Sequence, residues 1–152
     1  MTESMLTALM KLFAILAIVN KDVAIALSRN FVYSYLKTQF NQKIVDQSLL
    51  VFDEEISKLA KLDGLKEGKR TSSLSVKVLF ICREINQGLH IRGKFLIVIS
   101  LIQFSKFFDE LSDYSADFRQ TISDMVQTIS EVLMINENEF NNCKIFITEK
   151  RK

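Results

Sequence analysis

The chain has 152 residues, of which 48% are hydrophobic and 25% charged, and its net charge is +2. That length suits one domain with a sizeable core, and the balance excludes a disordered chain. So small a net charge writes in no strong pull toward nucleic acid or an anionic membrane surface.

There is no proline, and the four glycines are Gly64, Gly68, Gly88 and Gly93. Long helices joined by polar turns fit this scarcity of breakers, whereas a sheet would need many turn residues. The first helix is predicted over about 3–19. Leu6, Leu9, Phe13 and Leu16 form one apolar face, and Met10, Ile15 and Val19 make the opposite side apolar too. A helix apolar nearly all round belongs in the middle of a domain. The run 5–19 lacks a basic start and a small-residue cleavage site. Like 95–104, it falls short of the ~20 residues of a spanning helix, so neither run reads as a leader or a membrane insertion. A second helix is expected from about 24–28 to 40, with Phe31 and Tyr35 one turn apart. A third covers about 42–62, with Val45, Leu49, Phe52, Ile56 and Leu59 inward and Asp53, Glu54, Glu55, Lys58 and Lys61 on its wet side. DGLKEGKRTSS (63–73) reads as the one clear loop. Its GLKEGKRT echoes a phosphate-binding loop, but only three residues separate the glycines, Arg70 follows the lysine, and helices are expected on both sides.

The fourth helix spans about 74–87, with Leu74, Val78, Ile81, Cys82 and Ile85 inward, and GLHIRG (88–93) is a short connection. The fifth, about 94–108, is again apolar nearly all round, with a narrow polar strip at Ser100 and Gln103. The sixth runs over about 115–133 with Phe118, Ile122, Met125, Ile129 and Val132 inward. Asn136 and Glu139 form a capping box for a seventh, whose buried side is Phe140, Cys143 and Ile147. The expectation is one all-α domain of seven helices over 1–148, with a frayed basic tail, EKRK (149–152). Cys82 and Cys143 sit at apolar helical positions, which points to reduced core thiols and a cytoplasmic setting.

One organisational pattern recurs. An apolar helix leads into an Asp-containing turn and an amphipathic helix, twice. Segments 12–31 and 99–118 align at a constant offset, with Asp22 on Asp109 and Phe31 on Phe118. Two pseudo-repeated halves around two central apolar helices, packed side by side, follow from this reading. FSKFFDELSDYSADFRQTISDMVQTISEVLMINENEFNNCKIFI (104–147) and LFAILAIVNKDVAIALSRNFVYSYLKTQF (12–40) resemble the two halves of the tellurite-resistance TerB-like helical domains. The resemblance implies an all-helical bundle in which acidic residues of both halves converge and can bind a divalent cation. Carried over, these are Asp22, Asp109 and Asp117. Val23 and Glu110 stand where that pattern has glycine, and Ser28, Arg29 and Asn30 where it has a glutamate. The resemblance also implies an accessory domain of membrane-linked or stress-response machinery, including ATP-binding transporters, and a chain that continues past residue 152.

FFDELSDYSADFRQ (107–120) admits two readings. Asp109, Glu110, Asp113 and Asp117 supply oxygen ligands, or they form an acidic turn and helix start, with Asp113 or Ser115 capping and Asp117 complementing the helix dipole. The second is preferred, because the spacing is not that of an EF-hand loop. His90 is the only histidine, so no histidine-based metal cluster exists. Phe104, Phe107 and Phe108 cluster at one helix end; core packing explains most of the phenylalanines, and whatever part of this cluster stays exposed would mark a partner surface. No catalytic constellation is present. The sequence reads as a non-enzymatic interaction or regulatory module with no cofactor beyond a weakly held divalent cation. Its partners would be a protein, further domains of the same chain or a second copy. The alternative is a divalent-metal-binding stress-response domain that uses the acidic turns.

Overall fold

The computed structural model describes residues 1–19, 25–64, 67–110 and 116–150. It is all-α. Seven α-helices and one 3₁₀ turn account for the elements, and there is no strand among the described residues. The helices are α1 (Glu3–Ile18), α2 (Ile25–Lys37), α3 (Gln42–Ala60), α4 (Glu67–Gly88), α5 (Ile91–Asp109), α6 (Ala116–Val132) and α7 (Glu137–Lys150), with the 3₁₀ turn at Lys61–Gly64. By packing, the chain divides into two compact units, Met1–Ile81 and Cys82–Lys152, and the division falls inside α4.

In the first unit α1 packs on α3 and α2, and α2 on α3. α1 begins where the Thr2 hydroxyl accepts from the Met5 amide at 3.2 Å. From Met5 to Ile18 every residue of α1 except Thr7 and Lys11 is buried, as the all-round apolar pattern requires. Its Phe13 meets Phe31 and Tyr35 of α2 edge-on, at centroid distances of 5.7 and 5.6 Å. Asn41 caps α3 by accepting from the Ile44 amide at 3.1 Å. Val45, Leu49, Phe52 and Leu59 are buried along α3 as expected, but the fourth inward position differs. Glu55 is buried and Ile56 only half-buried. Both lie within one turn of Phe52 and Leu59, so spacing alone allows either, and the packing selects the i+3 member. A bidentate pair, Arg29 Nε to Asp53 Oδ1 at 3.0 Å and Nη2 to Oδ2 at 3.1 Å, ties α2 to α3 on the exposed side. An exposed pair of this kind contributes up to about 1 kcal/mol.

In the second unit α5 packs on α6 and α7, and α6 on α7. The pattern of α1, α2 and α3 thus recurs as α5, α6 and α7, each a mutually touching triplet. α5 departs from its expected all-round burial. Ile97, Val98, Leu101, Ile102, Phe104 and Phe108 are buried, whereas Ile91 and Leu96 near its start are exposed. Ser100, expected on a wet strip, is itself buried and donates to the Leu96 carbonyl at 2.8 Å. That internal bond removes the cost of burying its hydroxyl. In α6 the inward line is Ile122, Val126 and Ile129, continued by Leu133 just past its end. Met125 and Val132 are half-buried, and the side chain of Phe118 lies outside what is described. The face is rotated by about one residue from the expected one, again between two apolar choices.

The expected loop 63–73 is replaced in large part by helix, because α4 begins at Glu67. Glu, Lys and Arg are good helix formers, and Gly68 falls in the first turn, where little is lost by its freedom. Of the stretch GLKEGKRT, Glu67–Thr71 lie in α4, while Leu65 and Lys66 lie outside the described residues. α5 likewise starts at Ile91, three residues early, with His90 as its N-cap residue.

The α6–α7 corner is a Schellman turn. The Ile135 amide donates to the Ser130 carbonyl at 3.0 Å, and the Met134 amide to the Glu131 carbonyl at 2.9 Å. Asn86 of α4 caps the same end, donating from Nδ2 to the Val132 carbonyl at 3.0 Å. Asn136 then accepts from the Glu139 amide at 2.8 Å and starts α7. Met134 occupies the left-handed position at φ 65°, the usual place of glycine, and its side chain is 74% exposed. Met134→Gly relieves roughly 1–2 kcal/mol of backbone cost. Roughly half of that is returned through the freer unfolded chain. The variant is expected to raise the unfolding free energy by about 0.5–1 kcal/mol, read from the urea midpoint at unchanged slope.

Candidate functional site

Asp109 is exposed, and its carboxylate lies 3.7 Å from the Lys106 ammonium. The Asp109 carbonyl accepts from Arg119 of α6 at 3.4 Å. Asp109 also lines a small cleft of about 40 Å³ with Ser105, Lys106, Ser123 and Lys144. The charge gathered around this carboxylate is therefore cationic, which opposes a hard cation rather than holding one. Asp117 is exposed in the first turn of α6, where it complements the helix dipole, and its carbonyl accepts from Thr121 Oγ1 at 2.9 Å. Asp22, Asp113 and Ser115 lie outside the described residues. Among the described residues no group of three or more His, Cys, Asp or Glu side chains is placed to hold a metal ion. Arg29, at the position where the resemblance has a helix glutamate, is engaged by Asp53 of α3, and this partner raises its already high pKa.

The aromatic cluster at the end of α5 is mostly interior. Phe104 and Phe108 are fully buried and Phe107 half-buried. They pack against one another, Phe104 tilted on Phe108 at 5.0 Å and Phe107 edge-on to Phe108 at 5.2 Å between centroids. Their spacing, i and i+4 with a neighbour at i+3, turns them toward the inside of the unit, where they act as core.

The thiols are structural. Cys82 is fully buried, and burial pushes its pKa up to about 11. Cys143 is half-buried, and burial with the nearby Glu139 raises its pKa as well. Neither thiol has the low pKa of a nucleophile. A larger cleft of about 210 Å³ opens between α1 and α3, lined by Met1, Leu6, Met10, Phe40, Ile44 and Val51 with a few polar neighbours. It is smaller than ordinary ligand pockets and holds no cluster of perturbed titratable groups.

What sequence reading missed is the outer face of α4. Its inner face, Leu74, Val78, Ile81, Cys82 and Ile85, is buried as expected. On the opposite side Val76, Leu79 and Phe80 are 49%, 54% and 61% exposed. Other exposed large apolar residues stand singly or as neighbours along the chain, whereas these three follow the i, i+3, i+4 rhythm of one helix face. Lys69 and Arg83, seven residues before and after Val76, are exposed on nearly the same line, and Lys77 is half-buried beside it. Charges of both signs flank the stripe: Lys69 and Lys77 on one part, and Arg83 with the exposed Glu84, one turn beyond Phe80, on the other. The clue was present in the apolar residues left over once the inner face is assigned.

No helix of the described residues is long and apolar enough to cross a membrane. In class, the chain is an all-α helical protein. Comparison with family models, with curated proteins and with solved structures finds no match in any of the three.

The buried thiol yields a pH test. Its folded-state pKa lies above the ordinary 9.0, so the unfolded chain loses the proton first. The corresponding stability is present in full below about pH 9 and is lost as the pH rises toward about 11, by roughly 2 kcal/mol. Urea melts across this range are expected to show a steeper alkaline decline for the native chain than for Cys82→Ala.

Proposed function

We propose that this chain is a non-enzymatic interaction module and that the outer face of α4 is its docking surface. The observation that carries the reading is the exposed stripe Val76–Leu79–Phe80 on a helix whose opposite face is already buried. Each of the three is about half exposed, so together they leave on the order of 300 Å² of apolar surface, comparable to the functional patches of soluble proteins. At about 25 cal/mol per Å², covering it gains roughly 7 kcal/mol, a sum that the loss of translational and rotational freedom largely offsets. The stripe alone therefore supports weak association, and the charged side chains of both signs around it supply selectivity.

The proposal includes the resemblance to TerB-like domains, a cytoplasmic setting and an accessory role in membrane-linked or stress-response machinery. Its support is the set of quoted motifs, the all-α fold and the recurrence of a helix triplet in each unit. A divalent cation bound through the acidic bends is the less favoured alternative, because Lys106, Lys144 and Arg119 surround the described part of one bend.

A photo-reactive phenylalanine analogue placed at Leu79 is expected to give a discrete cross-linked species in the cells that express the chain. The same analogue at the exposed Asp46 of α3 serves as control. Phe80→Asp should remove the Leu79 adduct while leaving the melting midpoint within about 2 °C, since surface changes usually move stability by less than ~0.5 kcal/mol. A Leu79 pattern indistinguishable from that of Asp46 would sink the proposal.

A further inference from the structure

We infer that the cleft between α1 and α3 binds a small neutral aromatic molecule with one hydrogen-bonding group, of the indole or phenol class. The inference stands apart from the α4 face, and every residue it uses lies in the first unit. The cleft is built from two helix faces. Glu3, Thr7 and Met10 share one face of α1, and Ile44, Ser48 and Val51 one face of α3, each set at i, i+4 and i+7. Met10 is fully buried and Leu6 nearly so, which gives the α1 side an apolar floor. Ile44, Val51 and Phe40 are half-buried around it. The volume, about 210 Å³, exceeds the ~150 Å³ at which an apolar cavity takes up benzene. A ligand of roughly nine or ten non-hydrogen atoms fits, one ring and a little more.

The lining selects the chemistry. Ser48 is only 6% exposed. Ser100 and Ser130, also buried, return their hydroxyls to carbonyls of their own helix at 2.8 and 2.7 Å. Ser48 forms no such bond among the described residues, and its hydroxyl is left to the cleft. A ligand that displaces water there has to bring a donor or acceptor of its own, since a hydroxyl covered without a partner is costly. No lysine, arginine or histidine lines the cleft. Its charged groups are the carboxylate of Glu3 and the amino group of Met1, opposite in sign and both on exposed residues. A ligand with a net charge finds no counter-charge against the apolar floor, which selects a neutral one. Met10 and Phe40 favour a ring over an aliphatic chain, through thioether and ring-on-ring contacts. A few polar groups in an apolar wall are the usual makeup of a small-molecule site.

The test is a titration of the isotope-labelled full chain with indole, followed through its backbone amide resonances. Saturable shifts are expected, largest at residues 3–10 and 44–51, with a Kd on the order of 0.1–1 mM for so small a ligand. The anionic analogue indole-3-carboxylate is expected to bind several-fold more weakly. Ser48→Ala should weaken indole roughly three- to tenfold and leave benzothiophene, a ring of the same shape without the N–H, unchanged. Val51→Phe fills the cleft and should abolish the shifts. Gln47→Trp, at an exposed position on the rim, should do the same without touching the core, and circular dichroism checks that each variant keeps its helices. Four results overturn the inference: shifts that do not saturate within the solubility of indole, as a cleft that holds only water would give; shifts spread over both units; binding that survives both filling variants; or a Ser48→Ala effect that is absent or equal for the two rings. Equal or tighter binding of the carboxylate would overturn it as well.

Discussion

The first unit depends on the burial of α1. From Met5 to Ile18 its side chains are withdrawn from water on nearly every side. A helix of that composition has no wet face to offer, so its neighbours have to cover it. α3 does most of the covering, with Val45, Leu49, Phe52 and Leu59, and α2 closes another side through Phe31 and Tyr35 against Phe13. Arg29 and Asp53 then join α2 and α3 where both meet water. Polar contacts in this unit are mostly caps and rim pairs, and the cohesion is apolar.

α5 plays the equivalent part in the second unit, but less completely. Its C-terminal half supplies Leu101, Ile102, Phe104 and Phe108 to the core, while Ile91 and Leu96 stand exposed. The corner after α6 relies on hydrogen bonds instead. A Schellman turn, Asn86 from α4 and the Asn136 cap together satisfy the backbone where two helices meet. Chain polarity is thus concentrated at helix ends, and this accounts for the bend at Asp109 as well. Lys106 and Arg119 treat it as a helix terminus to be capped and neutralised.

α4 has a different balance. It is apolar on two faces, and only one is covered. Where α1 is apolar nearly all round and buried nearly all round, α4 leaves Val76, Leu79 and Phe80 in water beside charges of both signs. In a core helix such residues would be covered by the chain itself, so a second, exposed stripe is the feature that packing within the unit does not explain.

Helix identity was legible in the sequence because periodicity and capping are local. The scarcity of breakers, the apolar run 5–19, the Asn136–Glu139 cap and the inner line of α4 all follow from which residues lie three and four apart. The choice between neighbouring apolar or polar candidates was not local. Glu55 rather than Ile56, and Val126 rather than Met125, depend on how a whole helix is rotated against its neighbour, and the helical repeat leaves that rotation open by about one residue. The extension of α4 back to Glu67 is of the same kind, since Gly68 and the serines read as loop until a packed helix continues through them. The aromatic cluster at Phe104, Phe107 and Phe108 could be placed at a helix end, and mostly in the core, from sequence, but which ring stays partly exposed was settled by packing. Sequence by itself determined that the chain is helical and roughly where most of its helices lie, the start of α4 excepted, because those depend on contacts within a turn or two. Which faces stay wet, and so where a partner can dock, was decided by tertiary structure, because exposure is what remains after every other surface has been covered.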